Sequence, residues 1–264
     1  MALADETPYC PRVRSRDLLG AALRVARDRA SALRPSWRGI YPRLEDVPVS
    51  GPGFSGEAWM AAIQDDARRV MSAGPEAAGV RSWLPTVAAL LRKPQVTVLD
   101  FGGGLGTACL QLEHSLVNVD VAYHVVEGAS VCEAGRRLHV SSAIRYHDTL
   151  PTLDAVDVVN ARSSLQYIPT WQGLLGSLAE YRAAYMLIED LPAGRIPTFA
   201  TAQLNLPGSA IPYWFFSLDE VVREVEGRGY SLLARAPTER RVVQHGFPSS
   251  HRIAATWDLL FGRK

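Results

Sequence analysis

Residues 96–107, VTVLDFGGGLGT, constrain this chain more than any other stretch. A short apolar run of strand length breaks at once into glycines, and a helical pattern follows over 106–116. Glycine lets the backbone turn sharply and lets a ligand approach with no Cβ in the way. A strand that runs into glycines and then a helix is therefore a nucleotide-binding turn. The dinucleotide pattern G-x-G-x-x-G would need glycine at 107, where Thr107 stands, and the last glycine comes one residue early.

Further strands and helices alternate beyond this junction. AYHVVE (122–127), IRY (144–146), AVDVVNA (155–161) and AYMLIED (184–190) read as strands, with helical stretches at 129–139 and 171–182 between them. Such alternation predicts parallel strands joined by right-handed crossovers. Ser217-Leu-Asp-Glu220 predicts a capping box opening a helix that runs to about Arg228, with Gly229 ending it. YSLLARA (230–236) and HRIAATWDLLF (251–261) follow as two strands with no helical pattern between them, which predicts an antiparallel hairpin. The segment 191–216 reads as a long irregular stretch carrying Arg195, Gln203, Tyr213, Trp214, Phe215 and Phe216. It reads equally as an acceptor pocket and as a satellite hydrophobic cluster.

Upstream of residue 96 the pattern is weaker. Residues 12–34 show helical apolar spacing (Leu18, Leu19, Ala22, Val25, Ala26, Ala30, Leu33) with seven arginines among them. The favoured reading is a helix packed on its own domain, and the other is peripheral contact with anionic lipid. Residues 35–56, rich in Pro, Gly and aromatics, read as an irregular loop bearing Trp37, Tyr41 and Phe54, either a lid or a strap. From Glu57 to about Leu91 the chain reads as helical, interrupted near Gly74-Pro75 and at Pro85. The expected division is a helical extension and lid over 1–79 and a cofactor-binding domain over 80–264.

Composition excludes several classes. With 264 residues the chain makes one large domain or two small ones. A formal net charge of +1 leaves no global electrostatic footprint for nucleic acid. No apolar run reaches the roughly 18 residues of a membrane span, and the first residues lack the pattern of a signal peptide. A cytoplasmic protein is expected. Cys10, Cys109 and Cys132 and the six histidines lack metal-ligand spacing, so no metal is expected.

The acids around the glycines are informative. Asp100 stands two residues before Gly102, and its carboxylate would repel a pyrophosphate held at the helix N-terminus. S-adenosyl-L-methionine carries no phosphate, and its sulfonium and ammonium outweigh its one carboxylate. An acidic loop suits that cation. Glu127 ends the next strand, where a carboxylate accepts from both ribose hydroxyls. Asp148 follows the third strand and is placed to accept from an adenine amino group, with Leu150 against the ring. Taken singly, Asp100 reads equally as a helix cap and Asp148 as a turn residue.

DFGGGLG, VVE, HDTLP and DVVNARSSLQYI together resemble the class I S-adenosylmethionine-dependent methyltransferases over about residues 80–264. That resemblance implies an α/β, Rossmann-like, seven-stranded, mostly parallel sheet with a C-terminal antiparallel hairpin. WRGIYPRLEDVP, GFSGEAW, SSLQYI, LIEDLP and TAQLNLP are similar to a narrower methyltransferase-like family often associated with surface-polysaccharide or secondary-metabolite clusters. By position, Asp100, Gly102, Gly104 and Gly106 would line the methionine and ribose, with Glu127, Asp148 and Leu150 toward ribose and adenine. Ala161, Ser163, Gln166 and Tyr167 would face the sulfonium. Many relatives carry His-His where Gln166 and Tyr167 stand, so no base carries over. Candidate bases are Asp190, Glu189, Tyr167 and His245. A cation–π contact with the sulfonium is open to Tyr167 or Tyr213. The catalytic groups expected are Tyr167, Asp190 and Tyr213. Glu189 and Asp190 are neighbours on a strand, so only one faces the site, and Asp190 lies nearer the strand's carboxyl end.

The implied function is methyl transfer to a small molecule, a sugar or a secondary-metabolite intermediate. Alternatives are an enzyme that cyclises the aminobutyrate arm to azetidine-2-carboxylate with release of methylthioadenosine, and a non-catalytic cofactor-binding partner. A nicotinamide oxidoreductase is disfavoured by Asp100 and Thr107. Oligomeric state is not legible.

Overall fold

The computed structural model describes residues 36–74, 82–138, 140–206 and 208–264. The predicted helix over 12–34, and any lipid contact through it, lies outside the described residues. Residues 36–264 form one unit.

Short apolar runs make the central strands β2 (Gln95–Phe101), β3 (Asp120–Val126), β4 (Ile144–His147), β5 (Val158–Arg162) and β6 (Tyr185–Leu191). These five pair in parallel, with β2 between β3 and β5. β11 (Ala255–Arg263) runs antiparallel to β6, and β10 (Tyr230–Arg241) antiparallel to β11. The seven-stranded order is β10-β11-β6-β5-β2-β3-β4, a mostly parallel sheet with the C-terminal antiparallel hairpin that the resemblance implied. The strand order reverses between β2 and β5, and open α/β sheets bind ligands beyond the carboxyl ends at such a point.

Successive strand residues face opposite sides, so neighbouring valines and leucines build two cores. Leu99 and Val159 pack with α5 (Trp171–Ala179) and α6 (Leu218–Glu226) on one side. Val98, Val158 and Leu187 pack with α2 (Leu84–Leu90) and α3 (Thr107–Ser115) on the other. α1 (Glu57–Ala73) and α4 (Ala129–Leu138) share a smaller cluster around Ala67, Leu105 and Val131. Pro85 does not interrupt a helix. It lies in the first turn of α2, where a missing N–H is tolerated.

The predicted capping box at Ser217 is built differently. The Ser217 hydroxyl makes no cap hydrogen bond. Instead the Ser217 N–H donates to Thr198 Oγ1 at 2.9 Å, and the Thr198 hydroxyl donates to Glu220 at 2.5 Å. Thr198 thus stands between the two ends of the box.

The segment 191–216 is not irregular. It contributes β7 (Ala193–Gly194), β8 (Phe199–Gln203) and β9 (Ile211–Ser217) to a second sheet. Nor is 35–56 simply a loop, because β1 (Trp37–Tyr41) is the edge strand of that sheet, in the order β1-β8-β9-β7. Alternation decides the packing. Ala200, Ala202, Trp214 and Phe216 join the main core. Phe199, Tyr213 and Phe215 point the other way and pack with Trp37, Phe247 and Ile253.

Among the described residues no helix is long and apolar enough to cross a membrane. Among them no group of three His, Cys, Asp or Glu is arranged to hold a metal ion.

Candidate active site

The glycine loop bends tightly between β2 and α3. The Gly102 N–H donates to Val126 O at 2.9 Å, tying the loop to the end of β3. Gly102 has φ +73°, and a Cβ there would stand 2.3 Å from Ser164 Cβ. Gly104 has φ +57° but no neighbour within 4 Å of a Cβ, so open space lies over it. The Gly104 and Gly128 N–H groups donate to the two oxygens of Glu127, at 3.1 and 3.0 Å. Burial raises the Glu127 carboxyl above its usual range, against the pull of those two amides.

Asp100 lies beneath the loop rather than along it. It is 2% exposed. Its oxygens accept from Tyr123 Oη at 2.6 Å and Asn160 Nδ2 at 2.8 Å, both neutral donors. Burial dominates and pushes the carboxyl up to about 6. Asn160 stands at this level because β2 and β5 pair Asp100 with Asn160 and Phe101 with Ala161. Asp148 is exposed just after β4, and Leu150 is partly buried against the main core.

The other half of the candidate site begins at Ser163, just past β5, and Asp190, near the end of β6. Both carry left-handed backbone, at φ +47° and +52°, which is strained for side-chain-bearing residues. The Ser163 hydroxyl donates to Asp190. Arg240 pairs with the same carboxylate at 2.6 Å, and Thr256 donates to its other oxygen at 2.5 Å. Glu189 points to the opposite side, where it accepts from Ser82 Oγ and the Trp83 N–H, each at 2.7 Å. The two acids do split as their strand positions require. Asp190, however, arrives with three donors already on it, which is an anchor's environment.

Tyr167 joins the two sheets. Its ring lies edge-on to Tyr213, 5.4 Å between centroids, and to Phe54 at 4.8 Å. Trp37 stands 5.9 Å from Tyr213. Burial raises the Tyr167 phenol, against hydrogen bonds from Gln203 and Gln166, and raises that of Tyr213 far more. Both remain neutral phenols near pH 7.

Among the described residues, five buried polar atoms have no partner: Trp37 Nε1, Asn160 Oδ1, Ser164 Oγ, Gln166 Oε1 and Gln203 Oε1. All five belong to residues on the crevice or on the second sheet beside it. An unpaired buried polar atom costs free energy, and a ligand able to pair with it recovers that cost. Sequence reasoning missed Asn160 and Ser164 as candidates. Asn160 left a signal, a polar residue inside the buried run VVNA. Arg240 and Thr256 left none, because their roles depend on the hairpin's register.

No family model matches the chain. No curated protein matches it either. Solved structures do. A Listeria monocytogenes protein provisionally assigned as an S-adenosylmethionine-dependent methyltransferase superposes with a TM-score of 0.50 at 12% identity, over 69% of this chain and 97% of that one. The Burkholderia thailandensis 1,6-didemethyltoxoflavin-N1-methyltransferase gives 0.47 at 16% identity, over 85% of this chain and 94% of its own. The CcbJ methyltransferase of Streptomyces caelestis gives 0.46 at 15%, over 68% and 88%. The fold is that of the Rossmann-like methyltransferases. At these identities the likeness speaks for the fold, and activity must be argued from the crevice.

Proposed function

We propose that the chain is an S-adenosyl-L-methionine-dependent methyltransferase acting on a small molecule. One observation carries this reading. The Glu127 carboxylate is clamped between the Gly104 and Gly128 amides at the carboxyl ends of β2 and β3, with open space over both glycines. That is a cradle for a ribose beside a loop with no Cβ to fill it. The acids around it favour a cation: Asp100 meets neutral donors, and Glu127 meets backbone amides.

In this reading Glu127 accepts from the ribose hydroxyls, and Asp148 and Leu150 hold the adenine. Gly102, Gly104 and Gly106 bring the backbone close. Ala161, Ser163 and Gln166 border the reacting end, where Asn160 Oδ1 and Ser164 Oγ offer the unpaired acceptors an ammonium group needs. The bound cofactor supplies an electrophilic methyl group. The chain's task is then to align an acceptor and exclude water. Tyr167 and Tyr213 present neutral aromatic edges on that side. Asp190 and Arg240 fix the ends of β6 and β10, and Asp190's donors hold it as an anchor more than as a base.

The test is to titrate the chain with S-adenosylhomocysteine by calorimetry and to incubate it with S-adenosylmethionine alone, followed by mass spectrometry. Saturable binding and intact S-adenosylmethionine support the reading. Absence of binding overturns it, and release of methylthioadenosine replaces methyl transfer with cleavage or cyclisation of the aminobutyrate arm.

A further inference from the structure

We infer that Asp190 is a positioning residue for the glycine loop: through the Ser163 hydroxyl it holds a strained turn after β5, and that turn seats Ser164 on Gly102. The inference deepens the methyltransferase reading and rests on it for the identity of the ligand.

Left-handed backbone singles out the pair. Among the described residues, five other than glycine have positive φ: Arg92, Asn118, Ser163, Arg182 and Asp190. Arg92, Asn118 and Arg182 are exposed and stand just past the ends of α2, α3 and α5, the usual place for a left-handed residue. Ser163 and Asp190 follow no helix. They lie side by side at the carboxyl edge of the sheet, one step beyond the paired residues Arg162 and Glu189. Strain of this kind persists only where the surroundings over-determine it, and it gathers at functional sites.

The bonds that hold the turn converge on Asp190. Its carboxylate accepts from the Ser163 hydroxyl, from Thr256 Oγ1 at 2.5 Å and from Arg240 Nη1 at 2.6 Å. Its own N–H donates to Asp258 Oδ1 at 2.8 Å. Arg240 and Thr256 lie 50 and 66 residues further along the chain, so the C-terminal hairpin fixes the turn from a distance. On the β5 side the Ser163 N–H donates to Glu189 O at 3.0 Å.

With its hydroxyl turned to Asp190, Ser163 acts through the shape it gives the chain. The next residue, Ser164, is buried, and its Cβ would stand 2.3 Å from a Cβ on Gly102. On its other side Gly102 is tied to β3 by the bond from its N–H to Val126 O at 2.9 Å. The first glycine of the loop is thus clamped between β3 and the turn. A turn released from Asp190 would relax toward ordinary φ, carry Ser164 with it and unseat Gly102. In the proposed placement Gly102 lies at the methionine end of the cofactor, and Glu127 and Asp148 hold the nucleoside. The aminobutyrate arm therefore loses its support when Asp190 is removed, and the nucleoside keeps its own.

The experiment is calorimetry on the full chain with two probes, S-adenosylhomocysteine and 5′-methylthioadenosine, which shares the nucleoside and lacks the amino-acid arm. Asp190→Ala removes the acceptor and keeps the strain. Asp190→Gly removes both. Asp190→Asn keeps an acceptor oxygen on a residue that tolerates left-handed backbone. The Ala and Gly variants are expected to bind S-adenosylhomocysteine about tenfold more weakly, the worth of a hydrogen bond to a charged group, and methylthioadenosine within about threefold of the parent. The Asn variant is expected to stay within about threefold for both probes. Methylthioadenosine binding also reports that each variant is folded. Equal losses for the two probes overturn the inference, because a general loss of structure weighs on both. So does parental S-adenosylhomocysteine affinity in Asp190→Gly, which would leave Asp190 no role beyond its backbone. If the Ala and Gly variants do not fold, Ser163→Ala breaks the same link from the other end, and the same selective loss is expected of it. Parental affinity for both probes, or equal loss of both, in Ser163→Ala overturns the inference. A parent chain that binds S-adenosylhomocysteine but not methylthioadenosine overturns it too, since the split needs the nucleoside held on its own. Failure of the parent chain to bind S-adenosylhomocysteine overturns the methyltransferase reading instead, and is read before any variant is compared.

Discussion

The two halves of the crevice bury an acid in opposite ways. Under the glycine loop, Asp100 is held by a phenol and an amide, and burial lifts it to about 6. At the end of β6, Asp190 is held by two hydroxyls and a guanidinium. The first half keeps negative character for a cationic ligand to meet. The second is neutralised from within, by the Arg240 guanidinium.

The largest effects should come from the loop. Gly102→Ala places a Cβ 2.3 Å from Ser164 Cβ at a positive φ. It is expected to destabilise the chain by about 3 kcal/mol, an overpacking cost with backbone strain added. S-adenosylhomocysteine affinity should fall more than a hundredfold. Gly104→Ala meets no neighbour and should cost only about 1 kcal/mol of strain. Its methyl group would stand in the proposed ribose cradle, so binding should still fall at least tenfold. Thermal melts and calorimetry on the pair check this. Equal losses of stability, or unimpaired binding in Gly104→Ala, would break the assignment of the loop.

Next comes Asp100 and its pH dependence. Its folded value, about 6, lies above the ordinary 3.8. Between about pH 4 and 6 the folded chain therefore holds more protons than the unfolded one, and stability falls as pH rises through that window. Above pH 6 the whole penalty is present, on the order of 3 kcal/mol. Asp100→Asn is expected to flatten this slope and to raise stability at pH 7. It should weaken S-adenosylhomocysteine only slightly and the cationic S-adenosylmethionine about tenfold. A variant less stable than the parent at pH 7 would show that Asp100 is there for the fold. That outcome would remove half of the contrast.

Asp190→Asn tests the other half. General-base catalysis is worth about a hundredfold or more. An anchoring carboxylate paired with half-exposed Arg240 is worth far less, because solvent screens such a pair. The expected loss of kcat, measured with whichever acceptor turns over, is below tenfold. A hundredfold fall with unchanged cofactor affinity would restore Asp190 as the base.

The difference between the halves also explains what the sequence discloses. Strands β2, β3, β5 and β6 are legible because each is a compact apolar run next to a glycine or a helical pattern, signals that lie within about twenty residues, while β4, the short IRYH, shows only weakly. Glu127 is legible from its spacing to the glycines. The second sheet hides for a physical reason. Trp37 pairs with Gln203, far along the chain, and FATAQ and IPYWFFS sit among Pro192, Pro197, Gly208 and Pro212. Local propensity there argues for loop, and burial of Ala200, Trp214 and Phe216 overrides it. Asp190 is visible as an acid at a strand end. Its partners arrive from β10 and β11, whose register nothing local encodes.

The smallest predicted effect makes the same deletion in both halves. Tyr123→Phe and Thr256→Val each remove one hydroxyl from a buried carboxylate. Asp100 would keep only the Asn160 amide, so its ionised form becomes harder to bury. Tyr123→Phe should cost about 2 kcal/mol at pH 7 and less at pH 5, where the carboxyl is neutral. Asp190 would keep Ser163 and the Arg240 guanidinium, and Thr256→Val should cost about 1 kcal/mol at pH 7. Urea unfolding at the two pH values checks both. If Thr256→Val proved the costlier, Arg240 would not be compensating Asp190. The second half would then carry free charge, and the contrast between the two buried acids would lose its physical basis.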